Sequence, residues 1–381
     1  MFILPLNHSV GRGLKMVEAS SDIYRRLQEH FDGFPLRFPA TESGAEIRLL
    51  KHLFTPEEAE IALSLNSGYP GLLDTYESLE TIYCRIEHLD YSLDDVEEHL
   101  DNMAKKGAIM SDKMDGSKIY ANAPLIVGIY EFQVNKLTKE FQEDFDQYMS
   151  EAWGAANRGV RQLRTIPVGV EIDHETPIAT YDDIKNLFEQ SNGPFSIINC
   201  ICRQSSDFRG NPCQVTDRRE VCMGTGEMTR RYNELGWGRE ITKEEALAYL
   251  KQNEEEGLIF QVNNSQEMDF VCSCCSCCCG GLVSLKSLPN PADYTSSNYQ
   301  AAIDEELCSG CGTCIDRCQM EAITLIDDVA ILDQKRCIGC GNCVIGCPEG
   351  AITLVPKDDP EIPPLTTSDL YKSIVEERTK R

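Results

Sequence analysis

The chain repeats one cysteine pattern, first as Cys308-Ser-Gly-Cys-Gly-Thr-Cys-Ile-Asp-Arg-Cys318 and again as Cys337-Ile-Gly-Cys-Gly-Asn-Cys-Val-Ile-Gly-Cys-Pro348. Both copies follow the spacing C-x2-C-x2-C-x3-C. The corresponding pairs are Cys308 with Cys337, Cys311 with Cys340, Cys314 with Cys343, and Cys318 with Cys347. Eight of the chain's 19 cysteines therefore belong to one internal repeat.

This spacing is typical of proteins that hold two [4Fe–4S] clusters, in which the fourth cysteine of each run ligates the other cluster. Four thiolates reach one small cube only where the backbone turns tightly, and glycine permits such turns because it adopts positive φ. The glycines concerned are Gly310, Gly312, Gly339 and Gly341. The pattern predicts one-electron transfer. Two four-cysteine zinc sites are the alternative, which the interleaved repeat disfavours.

Short apolar segments follow each cysteine run. Ala322–Leu325 and Ala351–Leu354 are predicted to pair, as short strands, with Ala330–Leu332 and similar segments.

Composition limits the partners that the chain can bind. The sequence has 381 residues, a formal net charge of −26 and an isoelectric point of about 4.6. Nucleic acid is disfavoured as the main partner, because phosphate binding needs a basic face that displaces counterions. The charge fits either a basic partner protein or a role in solubility alone. The length predicts two to four domains.

Cysteine placement predicts a reducing compartment. Cys84 stands alone, and every other cysteine follows residue 199 in one of three dense groups. Such grouping, without an apparent secretory signal, favours metal ligation over disulfides. No apolar run of about 18 residues predicts a membrane span. We therefore expect a cytoplasmic protein, with Cys84 as a core residue of a helix.

The expected fold is α+β with several domains. A loose N-terminal segment covers residues 1–44. The parts predicted after it are a winged-helix-like domain at 45–125, an α/β cysteine-rich middle domain at 126–290, a two-cluster ferredoxin-like domain at 300–356 and a C-terminal tail helix at 357–381. A linker containing proline and serine, at about 287–299, precedes the ferredoxin-like domain.

Local signals mark the elements of 45–125. Thr55-Pro-Glu-Glu58 is a capping box, Ser92–Lys106 is a helix that Gly107 stops, and Asp115-Gly116 predicts a hairpin. Helices followed by a hairpin resemble a winged-helix domain, which implies DNA binding. The acidic residues of Ser92–Lys106 favour a protein-interaction role instead, because phosphates would repel them.

Further elements are predicted along the rest of the chain. Helices are expected at Thr138–Met149, Tyr181–Gln190, Gly226–Leu235, from the Thr242 capping box to about Glu255, and at Thr367–Arg381. Strands are expected at Ile166–Ile172 and Phe195–Ile201.

Ten further cysteines lie at positions 200, 202, 213 and 222 and in the run 272–279. Thiolates this close together must share positive charge, or their pKa values would rise sharply. Four arginines could offset part of the negative charge: Arg203, Arg209, Arg218 and Arg219. Three alternatives stay open: one or two further Fe–S clusters, structural zinc, or a redox-active thiol or persulfide centre. The candidate ligands of a third cluster are Cys202, Cys213, Cys222 and one or more of Cys274, Cys275, Cys277 and Cys278.

The repeat resembles bacterial two-cluster ferredoxins. The resemblance implies that one cluster is held by Cys308, Cys311, Cys314 and Cys347. It implies that the other is held by Cys318, Cys337, Cys340 and Cys343. Gln319 departs from the pattern, because a proline usually follows the fourth cysteine, as Pro348 does in the second copy.

The chain as a whole resembles multi-domain 4Fe–4S dicluster proteins of anaerobic prokaryotes. The segments that carry this resemblance are Leu53–Glu58, Cys200-Ile-Cys-Arg203, the run 272–279, Cys318-Gln-Met320 and Cys337-Ile-Gly-Cys340. It implies electron transfer within a larger redox system, and it supplies no substrate.

Motifs for other chemistries are absent from the sequence. No G-x-G-x-x-G follows a strand and no P-loop occurs, and His174 lies in what we expect to be a polar turn. The leading hypothesis is a protein that relays single electrons through at least two [4Fe–4S] clusters to or from a partner oxidoreductase. The alternatives are an oxidoreductase with its own metal or thiol centre at the 200–279 cysteines, and a redox-sensing regulator.

Overall fold

The computed structural model describes residues 23–69, 73–168, 182–191 and 193–379. The chain divides into two compact units. The first comprises Met1–Gln133 and Thr138–Arg158, and the second comprises Val134–Leu137 and Gly159–Arg381. Both helices and strands are present, as predicted for an α+β chain. No helix in the described ranges has the length and apolar character that a membrane span requires.

The first unit combines helices with a small sheet. Its helices are α1 (23–32), α2 (Ala45–Leu53), α3 (Pro56–Ala62), α4 (Leu79–Ile86), α5 (Leu93–Lys106), α6 (Lys139–Tyr148) and α7 (Gly154–Ala156). Its strands are β1 (Glu77–Ser78), β2 (Ile109–Met114) and β3 (Ser117–Asn122). They form an antiparallel sheet in the order β1-β3-β2. Short 3-10 or π turns lie at Leu73–Thr75, Leu125–Ile129, Glu131–Gln133 and Met149–Trp153.

Local side chains fix where these helices begin. The Thr55 hydroxyl accepts a hydrogen bond from Glu58 N–H, and the Glu58 carboxylate accepts one from Thr55 N–H, so the predicted capping box is confirmed. Ser92 caps α5 in the same way, and Gly107 ends it with φ of 76°. The hairpin turns at Asp115-Gly116, as predicted.

The prediction for Cys84 is wrong, since this side chain is exposed on α4. The buried face of α4 carries Ile82 and Ile86. These two residues lie one turn apart on the same face, and position 84 points away from that face.

The second unit contains a six-stranded antiparallel sheet in the order β4-β8-β9-β6-β5-β7. Its strands are β4 (Leu163–Ile166), β5 (Phe195–Asn199), β6 (Glu220–Thr225), β7 (Gly238–Ile241), β8 (Ile259–Asn263) and β9 (Phe270–Cys274). The helices around it are α8 (Ile184–Gln190), α9 (Ile201–Phe208), α10 (Gly226–Glu234), α11 (Lys243–Glu255) and α12 (Gly280–Ser287). Its core is apolar and includes Ile166, Phe188, Phe195, Leu250 and Val262.

Three boundaries differ from the sequence predictions. A strand lies at Leu163–Ile166 and ends at the first residue of the strand expected at Ile166–Ile172, because Pro167 has no N–H to continue the ladder. Residues 169–172 and His174 lie outside the described residues. The helix expected from Tyr181 begins at Ile184, where Asp183 accepts the capping hydrogen bond. Ile201 begins α9 and does not continue β5.

The remainder of the second unit holds the cysteine repeat. Its elements are β10 (Tyr299–Ile303), α13 (Thr313–Arg317), β11 (Ile323–Ile326), β12 (Val329–Leu332), α14 (Asn342–Ile345), β13 (Ile352–Pro356) and the C-terminal α15 (Thr367–Thr379). β11 pairs with β12, as predicted. β13 pairs with β10, a strand that begins at the last residue of the predicted linker. The linker itself contains a 3-10 turn at Pro291–Tyr294.

Candidate metal centres

The first four-cysteine group of the repeat surrounds one pocket. This pocket is lined by Cys308, Cys311, Cys314 and Cys347, together with apolar residues such as Leu325 and Ile352. Cys311 is exposed and Cys314 is buried. The fourth cysteine of the second run thus joins three cysteines of the first run, which is the interleaving that the ferredoxin resemblance implies. A cluster held here would lie close to solvent.

The second group of the repeat lies deeper. Cys318 packs with Cys337 and Cys343 in one apolar cluster and with Cys340 in another, so the fourth cysteine of the first run joins three of the second run. Burial raises the pKa of Cys340 to about 12 and also raises that of Cys343. Without a metal these thiols would stay protonated. A metal supplies the positive charge that keeps such thiols ionised.

The two halves of the repeat share a backbone conformation. Gly310 and Gly339 both have φ of 69°, while Gly312 and Gly341 have φ of 80° and 81°. A Cβ on Gly310 would lie 2.3 Å from the carbonyl oxygen of Asp328, and one on Gly341 would lie 2.4 Å from that of Val168. These glycines therefore permit both the left-handed turn and a close approach of neighbouring backbone.

Backbone N–H groups are directed at the repeat's sulfurs. Ala330 N–H donates to Cys308 Sγ over 3.4 Å, and Ala322 N–H donates to Cys318 Sγ over 3.2 Å. Ala301 N–H donates to Cys337 Sγ over 3.5 Å. Such donors stabilise thiolates that carry an anionic cluster and tune its potential. The residues present therefore fit two [4Fe–4S] clusters.

The upstream cysteines separate into two groups. The first, called here the four-thiol group, consists of Cys213, Cys275, Cys277 and Cys278. Their sulfurs all lie within 4.8 Å of one another. Cys213 Sγ is 3.6 Å from Cys275 Sγ and 3.8 Å from Cys277 Sγ, and Cys277 Sγ is 3.7 Å from Cys278 Sγ.

These distances fit a single metal ion. Four thiolates placed tetrahedrally at about 2.3 Å from one zinc ion are separated by about 3.8 Å. A four-iron cube occupies more space and holds its outer thiolates farther apart. The hydrogen bond from Cys275 lowers the pKa of Cys278 to about 5, whereas the pKa values of Cys275 and Cys277 are raised, so a metal is needed to ionise the whole group. A mononuclear tetrathiolate site is the arrangement that the four-thiol group fits best.

Arg203 is a fully buried cation beside this group. Its guanidinium Nε lies 3.4 Å from Cys213 Sγ and its Nη2 lies 3.4 Å from Cys275 Sγ. Nη1 donates to the carbonyl of Ser273 over 2.9 Å. The side chain is 0% exposed, and its charge also acts on Cys200 and Cys222. It therefore offsets negative charge on both groups of upstream cysteines.

The second group, called here the six-thiol group, brings together the remaining six upstream cysteines. It consists of Cys200, Cys202 and Cys222, which pack in one apolar cluster, and Cys272, Cys274 and Cys279, which pack in another. Side-chain interactions of Cys202 with Cys279 and of Cys222 with Cys272 join the two sets. Cys200 and Cys274 are buried, and the other four are half-buried. Without a metal, the pKa values of these thiols differ from one another. Neighbouring thiols lower the pKa of Cys200 and raise that of Cys202.

The ligand set expected for a third cluster is thus divided. Cys213, Cys275, Cys277 and Cys278 lie together, whereas Cys202, Cys222 and Cys274 lie in the six-thiol group. The candidate set omitted Cys200, Cys272 and Cys279. Two signals pointed to Cys272 and Cys279. Cys272 shares the period of two with Cys274 on a strand, and Cys279 precedes Gly280-Gly281 at a helix start.

Comparison with known families identifies part of this arrangement. Residues 307–352 match the family model of the 4Fe-4S dicluster domain. This segment is therefore a ferredoxin-type iron–sulfur domain, in agreement with the prediction from spacing. No curated protein matches the chain.

Proposed function

We propose that this chain is an electron-transfer protein that relays single electrons through two [4Fe–4S] clusters to or from a partner oxidoreductase. One observation carries the proposal: the two interleaved four-cysteine groups lie within one small domain that matches the dicluster family. When bound, the clusters supply reversible one-electron chemistry. The chain's residues hold the clusters, shield one of them and expose the other.

The two groups differ in their access to solvent, and this difference gives the relay a direction. Cys311 lies on the surface, so the group to which it belongs is the port that a partner protein reaches. Cys337 and Cys343 are buried, so the other group faces the interior of the second unit. Excluding water there protects the cluster and strengthens the N–H contacts to its sulfurs.

The proposed partner is a redox protein with a basic face. Exposed acidic side chains lie near the cysteines of this group along the chain: Asp304, Glu305, Glu306, Asp316, Asp327, Asp328 and Glu349. Of these, Glu349 lines the pocket of Cys308 and Cys311, and Asp328 lies beside Gly310. Leu307 and Ile326, in the same segments, are exposed at 55% and 57%. Opposite charge speeds the encounter of two proteins, and apolar contact then holds the docked pair.

The four-thiol group is proposed as a structural site for one tetrahedral ion, zinc or iron. Its four sulfurs come from the loop before β6 and the turn after β9, so the ion would tie these segments together. Replacing the ion with Co²⁺ tests this assignment. We expect the intense charge-transfer bands of a tetrathiolate cobalt site, and Cys277→Ser should remove them while Cys84→Ser leaves them unchanged.

The first unit is proposed to be a winged-helix-like protein-interaction domain. The order α3-β1-α4-α5-β2-β3 with the sheet order β1-β3-β2 supports this proposal. Its hairpin lysine, Lys118, contacts Glu97 and Asp101 of α5 at 3.0 and 2.6 Å. A cation neutralised in this way contributes little to phosphate binding.

We place the protein in the cytoplasm, where its thiols stay reduced.

Anaerobic metal analysis tests the proposed function. The dicluster domain should contribute about eight irons and eight acid-labile sulfides per chain. Reduced protein should give EPR signals of two clusters, and Cys311→Ser and Cys340→Ser should each alter a different one. Cys84→Ser is the matched control, because Cys84 is exposed and lies in the other unit. Zinc in place of iron at the repeat would overturn the proposal.

A further inference from the structure

The six-thiol group is built by regular structure. Cys272 and Cys274 lie on one face of β9, because side chains two apart on a strand share a face. The register of β6 with β9 pairs Met223 with Val271, which brings Cys222 beside Cys272. Three of the six thiols therefore come from two adjacent central strands of the six-stranded sheet.

The other three thiols come from two helix N-termini. Cys200 is the N-cap of α9 and Cys202 lies in its first turn. Cys279 is the N-cap of α12. Helix N-termini carry partial positive charge and unpaired N–H groups, both of which favour an anionic ligand. The backbone N–H groups of Arg203 and Leu282, in the first turn of each helix, favour the thiolate forms of Cys200 and Cys279, which are the forms that ligate a metal.

Six thiols exceed the needs of one ordinary site. A single tetrahedral ion or one [4Fe–4S] cube takes four protein ligands. The six thiols divide by packing into two sets of three, Cys200, Cys202 and Cys222 in one apolar cluster and Cys272, Cys274 and Cys279 in another, so neither set alone supplies the four ligands of one ion or cube. The four-thiol group packs in the same apolar cluster as Cys200, Cys202 and Cys222, but its four sulfurs lie within 4.8 Å of one another and form a site of their own. Burying six thiolates is costly unless metal ions supply positive charge.

The six-thiol group also adjoins the deeper half of the dicluster domain. Cys272, Cys274 and Cys279 pack in the same apolar cluster as Cys318 and Cys340. The same cluster contains the apolar side chains of Ile259, Leu282, Met320 and Ile338. Zinc in the six-thiol group would have no redox role. An iron–sulfur centre there would lie next to the cluster held by Cys318 and Cys340 and could exchange electrons with it.

We propose that Cys200, Cys202, Cys222, Cys272, Cys274 and Cys279 together hold one polynuclear iron–sulfur centre beside the cluster of Cys318, Cys337, Cys340 and Cys343. This centre is additional to the dicluster clusters. Its neighbour is the interior cluster, not the Cys311 port. The assignment extends the proposed function, and its iron is counted separately from that of the dicluster domain.

The test compares two double variants of the full chain, made and purified anaerobically. C222S/C272S changes two facing members of the six-thiol group, and C213S/C277S is the matched control in the four-thiol group. We expect C222S/C272S to lose at least about four irons per chain with a comparable amount of acid-labile sulfide. The control should retain that iron and lose a single metal ion. Circular dichroism verifies that both variants are folded.

EPR spectroscopy provides a second readout. Reduced wild-type protein should show spin coupling that broadens the signal of the Cys340 cluster, and C222S/C272S should narrow it. Loss of zinc without sulfide in C222S/C272S would overturn the proposal. A wild-type content of no more than about nine irons would overturn it as well, since the dicluster domain and one mononuclear ion account for that amount. The wild-type iron content tests the proposal even if C222S/C272S does not fold. A content of about eight or nine irons would reject the additional centre and still agree with the dicluster assignment.

Discussion

The side-chain carbonyl of Gln319 accepts a hydrogen bond from Ser276 N–H over 2.7 Å. Its amide nitrogen donates to the carbonyl of Gly257 over 2.6 Å. Gln319 stands where the ferredoxin pattern usually has proline, and a proline side chain could make neither bond. The departure from the pattern thus has a structural role, since it ties the dicluster domain to the cysteine run 272–279.

Replacing this glutamine by the usual proline should weaken the tie. In Gln319→Pro, Ser276 N–H and the Gly257 carbonyl lose their partner, at a cost on the order of 2–4 kcal/mol. We expect a lower midpoint of thermal unfolding with the iron content of the dicluster domain unchanged. Gln252→Ala, on the exposed face of α11, is the control for losing a surface amide. If both variants unfold at the same temperature, Gln319 has no such role.

Arg203 should be required for the upstream thiols. In Arg203→Met, the methionine side chain occupies most of the space of the arginine, but the cation next to Cys213 and Cys275 is lost. Removing one partner of a buried charge pair costs about 3–5 kcal/mol. We expect loss of metal from the four-thiol group and a lower unfolding temperature. Arg239→Met, at an exposed ion pair with Glu220, should change neither quantity. Full metal retention in Arg203→Met would contradict this role.

Gly341 is expected to tolerate no side chain. Its φ of 81° already disfavours alanine, and a Cβ would lie 2.4 Å from the carbonyl oxygen of Val168. Gly159 has φ of 82° with nothing within 4 Å of a Cβ, so it isolates the backbone strain. Gly159→Ala should cost about 1–2 kcal/mol. Gly341→Ala should cost about 1–3 kcal/mol more, read as unfolding temperature and iron retention. If Gly341→Ala and Gly159→Ala lower the unfolding temperature equally, the close approach of Val168 to Gly341 does not add to the cost of a side chain.

Asp269 should make stability depend on pH. Burial raises its pKa from 3.8 to about 6, although its carboxylate accepts a hydrogen bond from the Thr367 hydroxyl. The folded state therefore binds the proton more tightly than the unfolded state. The free energy of unfolding falls as the pH rises from about 4 to about 6, and the loss is complete above that range.

Asp269→Asn should remove this penalty. The variant is expected to unfold at a higher temperature than the wild type at pH 8, with the difference shrinking as the pH approaches 4. The asparagine carbonyl can still accept from Thr367, so the contact to α15 survives. An equal difference at every pH would mean that Asp269 does not titrate in this range.

The first unit should not bind DNA by its α5 helix. Acidic residues fill this helix, and Lys118 and Lys106 are already paired with Asp101 and Glu58. Fluorescence anisotropy with duplex DNA should show no binding whose affinity falls between about 50 and 200 mM salt. The measurement is made on oxidised and reduced protein. Salt-dependent binding in either state would favour the regulator hypothesis.

The sequence predicted the features that depend on neighbours along the chain. The Thr55 and Thr242 capping boxes and the Asp115-Gly116 turn each involve residues within three positions of one another. The cysteine repeat is equally local, because each run forms one tight loop. The 4Fe-4S dicluster domain could therefore be recognised from residues 308–347 alone.

Tertiary structure decided how distant segments meet. Cys222 meets Cys272 because β6 pairs with β9, and Cys200 joins them from the end of β5. β6 and β9 are not consecutive strands, so no turn between them fixes their register, and the register depends on side-chain packing across the sheet. The spacing of cysteines along the chain therefore does not reveal which strands pair. For the same reason, the sequence showed ten upstream cysteines but not their division into four and six. The partner of Gln319, 43 positions away at Ser276, likewise emerges only once the strands are packed.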